Sequence, residues 1–255
     1  MKSLTWVCAG AALMMAGATG VPAGAQTAAP KAATPAFTPA QEQDIKALVR
    51  EYLLANPEIL NEMVEGLQER ETAERQAAQK AIIAARHDEI FNPPEATVIG
   101  NPKGDVTVVE FFDYNCGYCK SMFPSLMDVL DDDRNVRLVL KELPILGPAS
   151  EIASKAALAA RKQGKYAEFH RAMITHRSAM SETVIYELAA EVGLDVARLK
   201  SDMKDKSVAD IIARNRALAK DLQVTGTPAV FVADDFYPGA MSAENLKAAI
   251  ADARK

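Results

Sequence analysis

The stretch from Val106 to Tyr114 is apolar almost throughout, the pattern of a strand in a sheet covered on both faces. It runs directly into Cys116, where a helix is expected to open and to carry Met122, Leu126, Val129 and Leu130 on one apolar face. Val136-Arg137-Leu138-Val139-Leu140 follows as the next strand. Strand, helix and strand in this order imply a right-handed parallel crossover, so the chain is read as an α/β fold.

The turn between that strand and helix is Cys116-Gly117-Tyr118-Cys119. The chain holds 3 cysteines, and the remaining one, Cys8, lies in a stretch that reads as a removable leader. Two thiols separated by two residues can close on each other, and a helix starting at the first favours its thiolate. So small a loop restricts little of the unfolded chain, and a chain of 255 residues buries a core without a staple. The pair is therefore read as reactive, and the chemistry expected is thiol–disulfide exchange.

Residues 1–25 have the marks of a secretory signal: Lys2, an uncharged run from Leu4 to Ala18, and Ala23-Gly24-Ala25 for cleavage after Ala25. The run is short and alanine-rich for a membrane span, a retained N-terminal anchor being the alternative, and Cys8 comes too early in it to be a lipid anchor. The expected location is the periplasm, where disulfides form and persist. The net charge is −5, and loss of Lys2 makes the chain more acidic, so no general attraction for nucleic acid or anionic lipid is expected.

Residues 26–39 are Ala/Pro/Thr-rich and read as a flexible tether. Thr38, Pro39 and Gln41 resemble a helix start with its cap, first-turn proline and capping-box partner. Ile45, Leu48, Val49, Tyr52 and Leu53 then recur at helical spacing. Asn56-Pro57 ends that helix, and Ile59, Leu60, Met63, Val64 and Leu67 make a second apolar face. Two such helices are too small to form a core, so residues 40–67 are expected to associate with the same segment of other copies, as a trimer or dimer, the alternative being that they fold back onto the main domain. Residues 68–91 read as a polar helical connector, with no large apolar residue from Gln68 to Lys80. A helix unbroken from Pro57 to about Phe91 would span roughly 50 Å.

Residues 92–255 are expected to form the catalytic domain. Asn92-Pro93-Pro94 ends the connector and Thr97-Val98-Ile99 makes a short strand. A helical insertion covers about 149–222, punctuated by Gly164, Ser181, Gly193 and Asp195. Ala229 to Val232 returns to strand, Asp234-Asp235 turns it, and Phe236-Tyr237 can pair as a hairpin before a final helix capped by Ser242.

The strand, the C-x-x-C at a helix start, and the late Thr225-Gly226-Thr227-Pro228 before a hairpin and last helix together resemble the thioredoxin fold. The inserted helices resemble its DsbA-like branch. With Leu143-Pro144-Ile145-Leu146-Gly147-Pro148 and the N-terminal helices, the chain is most similar to the suppressor-of-copper-sensitivity (ScsC) group. The resemblance implies an exposed Cys116 as the attacking thiolate, favoured by the free N–H groups of the helix start, and a more buried Cys119 that resolves the mixed disulfide. It implies that Pro228 is a cis-proline facing the sulfurs, with the Thr227 backbone open to an extended client segment. Gly117, Tyr118, Gly226 and Thr227 would line the client's path. Glu110, six residues before Cys116 on an apolar strand, is expected beneath the cysteines. It either relays a proton to or from Cys119 or forms a structural ion pair with Lys141.

The Gly-Tyr dipeptide places no cationic histidine beside the thiolate, and with Thr before the proline it is the combination of bacterial disulfide isomerases. An isomerase or reductase is therefore expected, needing no cofactor beyond the Cys116–Cys119 disulfide. It would act on cysteine-containing client proteins and be kept reduced by a membrane partner of the ScsB/DsbD kind. The alternatives are a dithiol oxidase, or a Cu(I)-binding protein with a role in copper tolerance that uses the same two thiolates. His87, His170 and His176 are read as surface side chains rather than ligands. Met63, Met122, Met127, Met173 and Met203 are read as core. A peroxidase or glutathione transferase has no supporting feature, and a non-catalytic adhesion or chaperone module does not explain a bare C-x-x-C.

Overall fold

A computed structural model describes residues 37–255. The expected leader 1–25, with Cys8, and most of the 26–39 tether lie outside the described residues. The chain divides into two units, one ending at Met63 and one spanning Val64–Lys255. Among the described residues no helix is long and apolar enough to cross a membrane.

In the first unit, α1 (Pro39–Ala55) starts at the capping box that Thr38 and Gln41 spell out. The Thr38 hydroxyl accepts the Gln41 N–H at 3.3 Å, and the Gln41 side chain accepts the Thr38 N–H at 2.9 Å. No residue of α1 is buried. Helix α2 (Glu58–Ala85) begins after Pro57, which cannot continue α1, and from Val64 onward it belongs, with Arg86 and α3 below, to the second unit. It does not run on to Phe91. Arg86 leaves helical geometry, with φ −112° and ψ 16°, and α3 (His87–Phe91) follows. The Arg86 guanidinium at this break is bound by Glu89 at 2.6 Å and Asp221 at 2.7 Å.

The second unit is built on a five-stranded sheet in the order β1-β3-β2-β4-β5. Its strands are β1 (Thr97–Gly100), β2 (Val106–Phe112), β3 (Val136–Glu142), β4 (Ala229–Val232) and β5 (Asp235–Pro238). β2 and β3 are parallel, joined by the crossover helix α4 (Gly117–Asp132), and the other pairings are antiparallel. Because side chains alternate across a strand, β2 feeds two cores. Val108 and Phe112 pack with Met122 and Leu126 of α4 and Leu246 and Ile250 of α10 (Ala243–Ala253). Val109 and Phe111 pack on the other face with Ile83, Ile90, Phe91 and Phe231. Each fully buried phenylalanine contributes roughly 1.5–3 kcal/mol.

Between β3 and β4 lie α5 (Pro148–Ala160), a short 3-10 turn, α6 (Tyr166–Thr175), α7 (Glu182–Glu191), α8 (Val196–Asp202) and α9 (Lys206–Asp221). The hairpin turns one residue earlier than expected. Asp235 already pairs with Val232, and Ala233 takes the positive φ of 48°. Met122 and Met173 are core and Met127 and Met203 pack at its margin, whereas Met63 is 64% exposed. His170 is not a surface residue. It is buried among Phe112, Tyr114, Phe123 and Tyr166, and its Nδ1 hydrogen-bonds the Tyr114 hydroxyl at 2.9 Å.

Candidate active site

Cys116 is the N-cap of α4, with extended backbone at φ −76° and ψ 114°. The first-turn N–H groups of α4 that lack intrahelical partners therefore lie next to it. Its own N–H donates to the Asp113 carbonyl at 3.0 Å, and its carbonyl accepts the Lys120 N–H at 3.1 Å. The side chain is less open than the resemblance implied, with only 6% of its surface exposed. The reason is a strand-side loop: the Cys116 thiol donates to the Thr227 carbonyl oxygen at 3.1 Å. The Thr227–Pro228 peptide bond is cis. Thr227 is half-buried, Pro228 buried, and Gly226 exposed.

Cys119 sits one turn into α4 and is 1% exposed, and both cysteines are free thiols. Burial pushes the Cys119 thiol well up, and the Glu110 carboxylate adds to this. Gly117 and Tyr118 between them are exposed, Tyr118 by 72%.

Glu110 is buried on the cysteine face of β2, and burial first, then Cys116, pushes its carboxyl up to about 8. Lys141 does not pair with it. In the β2–β3 register Lys141 is opposite Phe111 and Glu110 opposite Leu140, so the two side chains leave opposite faces of the sheet. The Lys141 ammonium instead donates to the Glu89 carbonyl at 2.7 Å and lies over the Phe111 ring, and burial brings it down to about 8.

Three polar side chains flanking the cysteines were not singled out from the sequence. The buried Asp113 carboxylate accepts the N–H groups of Asn115 (2.8 Å), Ile145 (2.9 Å) and Leu146 (3.0 Å). Asn115 accepts the Met180 N–H at 2.8 Å and donates to the Ser150 hydroxyl at 3.0 Å. Lys120 donates to the carbonyls of His176 (2.8 Å) and Ser178 (2.9 Å). The available signal was an Asp and an Asn at a strand-to-helix turn, where such side chains commonly bind backbone groups. Behind the site, the Tyr166 hydroxyl donates to buried Glu142 at 2.5 Å, and burial pushes Glu142 up to about 7.

Two thiolates one helical turn apart are a soft donor pair suited to Cu(I). No group of three or more His, Cys, Asp and Glu side chains able to hold a metal occurs among the described residues.

Residues 107–251 match the family model described as DSBA-like thioredoxin domain, and residues 41–74 match the N-terminal domain of the copper resistance protein ScsC. A thioredoxin-like oxidoreductase from Silicibacter pomeroyi is 48% identical, with a TM-score of 0.65 over 66% of this chain and 96% of that one. ScsC from Proteus mirabilis in a transitional conformation is 29% identical, with a TM-score of 0.63 over 86% of this chain and 97% of that one. A periplasmic thioredoxin-like protein from Salmonella enterica serovar Typhimurium is 28% identical, with a TM-score of 0.61 over 66% and 94%. Among curated relatives, the Na(+)/H(+) antiporter NhaA 3 of Salinispora tropica is 32% identical over 164 residues, 64% of this chain. The chain spans only about a quarter (25%) of that antiporter's length.

Proposed function

The chain belongs to the DsbA-like thioredoxin-domain family, and on that premise we propose that it is a periplasmic protein thiol–disulfide oxidoreductase working from its reduced form as an isomerase or reductase. The observation that carries this reading is Cys116 at the N-cap of α4, its thiol on the Thr227 carbonyl, with Cys119 buried one turn behind.

In this reading the Cys116 thiolate attacks one sulfur of a client disulfide. A mixed disulfide forms, and the client's other sulfur leaves as a thiolate. If a different client thiolate attacks the mixed disulfide on the client's sulfur, the client is re-paired and the Cys116 thiolate is released with no net redox change. If Cys119 attacks the Cys116 sulfur, the client leaves with both cysteines reduced and the enzyme holds the Cys116–Cys119 disulfide. A membrane thiol reductant of the ScsB/DsbD kind then returns two electrons. Cys119 must lose a proton before it attacks, and Glu110 is the buried carboxyl on the same face that would take it. Exposed Gly117, Tyr118 and Gly226, with the Thr227 backbone, line the client's path.

The isomerase preference is supported by the absence of a histidine between the cysteines and by Tyr118 in its place. A further support is the exposed apolar set on α1 and the start of α2, where Leu48, Tyr52, Leu60 and Met63 are all more than half exposed. A second copy of the same helices is the occupant such a face fits, and association would let several Cys116 sites hold one client. The likeness to the Salmonella protein supports a periplasmic location. The match of residues 41–74 to a copper resistance protein favours one second role, Cu(I) binding by Cys116 and Cys119.

The test is recovery of activity from a scrambled disulfide protein by the reduced chain. Recovery with native Cys116 and none with Cys116→Ala is expected. Recovery that survives Cys116→Ala overturns the reading. Stoichiometric Cu(I) uptake by the reduced protein that Cys119→Ser abolishes tests the second role.

A further inference from the structure

We propose that Asp113 is a positioning residue for client recognition. Its buried carboxylate fastens the exposed Ile145–Leu146 corner to the turn that carries Cys116, and so fixes where a client's apolar side chain sits relative to the attacking sulfur. The inference rests on the thiol-exchange reading above and names the part of that site which selects the client.

Asp113 is bonded to both sides of this junction. Its carbonyl accepts the Cys116 N–H at 3.0 Å. One carboxylate oxygen accepts the Asn115 N–H at 2.8 Å, and the other accepts Ile145 N–H at 2.9 Å and Leu146 N–H at 3.0 Å. The corner needs this partner because it has left the sheet. β3 ends at Glu142, and Leu143 N–H makes the last bond to β2, at 2.8 Å on Phe112 O. Gly147, at a positive φ of 116°, turns the chain into α5. With their amides turned in to Asp113, Ile145 and Leu146 show 46% and 53% of their surface. Pro144 next to them is held by Arg216, which donates to its carbonyl at 2.9 Å.

The chemistry requires a carboxylate. An ionised carboxylate only accepts, so both oxygens can face N–H donors. An amide of the same shape would turn an NH2 toward one of the two sides, setting donor against donor. A hydroxyl would reach one side at most. A client disulfide must come within bonding distance of Cys116, so the chain beside the client cysteine must pass over the ground next to this turn. Two exposed aliphatic side chains fastened there fit an extended, unfolded polypeptide carrying an apolar residue near its cysteine.

The experiment uses the full chain with Asp113→Asn, Asp113→Ala and the surface pair Ile145→Ser/Leu146→Ser. Each is assayed on a scrambled disulfide protein and on a small aromatic disulfide. Losing one side of a charge-assisted set is expected to raise the client KM by about tenfold while kcat changes much less. The small disulfide, which does not reach the corner, should lose far less than the protein client. Amide exchange at Ile145 and Leu146 should quicken in both Asp113 variants. The surface pair keeps the Asp113 bonds and should show the same KM effect without the exchange effect. Equal losses on both substrates, or an unchanged client KM in the folded Asp113→Asn protein, would overturn the proposal and leave the thiol-exchange reading standing. That reading fails separately, if turnover survives Cys116→Ala.

Discussion

The thiol of Cys116 donates to the carbonyl oxygen of Thr227 at 3.1 Å, across 111 positions of sequence. This contact closes the loop before β4 over the start of α4. It shelters the sulfur while leaving Gly117, Tyr118 and Gly226 open. A client chain paired with the Thr227 backbone would therefore present its sulfur to Cys116 at close range.

The first prediction separates the two cysteines. Cys116→Ala should reduce exchange to the uncatalysed background. Cys119→Ala should still attack clients but accumulate the mixed disulfide, because only a client thiolate is then left to resolve it. Non-reducing electrophoresis after mixing with an oxidised client reads this directly. Accumulated adduct in Cys116→Ala, or none in Cys119→Ala, would reverse the assignment.

Resolution by Cys119 should be pH-dependent through Glu110. With the carboxyl pushed up to about 8, the base form grows as pH rises toward that value, and the resolving step should speed up with it. Glu110→Gln should slow resolution and flatten its pH profile. Lys141→Met should leave that profile unchanged, because its ammonium lies across the sheet on the Glu89 carbonyl. Stopped-flow decay of a preformed mixed disulfide measures both variants. An unchanged profile in Glu110→Gln would remove the relay.

Stability should also carry the signature of buried carboxyls. Glu110 and Glu142 have folded values raised from 4.5 to about 8 and about 7. In the window above 4.5 the unfolded chain ionises while the fold stays protonated, so the fold binds more protons and stability falls as pH rises. Each group contributes a slope of about 1.4 kcal/mol per pH unit within its window. Glu110→Gln should therefore gain on the native protein between pH 5 and 8 in denaturant titrations. Parallel curves for the two proteins would contradict the burial argument.

His170 acts in the opposite direction. Burial lowers it from 6.5 to about 3, so its contribution is present above 6.5 and is lost as pH falls toward 3. His170→Phe should unfold less steeply in acid, although it strips the Tyr114 hydroxyl of its partner and lowers stability at pH 7 by about 1–3 kcal/mol. Thermal midpoints from pH 4 to 7 check both parts. A steeper acid transition in the variant would exclude His170 as the source.

Association through the first helices should depend on their exposed apolar side chains. Leu48→Glu with Tyr52→Glu should lower the sedimentation coefficient to that of a monomer. The variant should keep reduction of small disulfides and lose most of its isomerase activity on scrambled protein. A native chain that already sediments as a monomer would dismiss the assembly.

Much of the fold is written locally. The apolar run of β2 and the capping residues Thr38 and Ser242 each state their element within a few positions, because strand and helix preferences act over one or two turns. The position of Cys116 at a helix start is local in the same way. Of the two roles open to Glu110, the ion pair with Lys141 is excluded only by register, which spacing alone does not give: a one-residue offset between neighbouring strands sends two side chains to opposite faces. His170 was misjudged because a polar residue on an amphipathic helix is buried or exposed according to what packs above it.

From its own order of residues, then, the chain determines a β–α–β unit with two sulfurs at the helix start, and with them the kind of chemistry available. Tertiary structure alone decides what surrounds that helix start: Thr227, from a loop 111 positions away, on the Cys116 sulfur, and the Asp113 bonds to Ile145 and Leu146, 32 and 33 positions on, beside its turn. Such contacts depend on how distant elements pack, and short-range preferences carry no information about that.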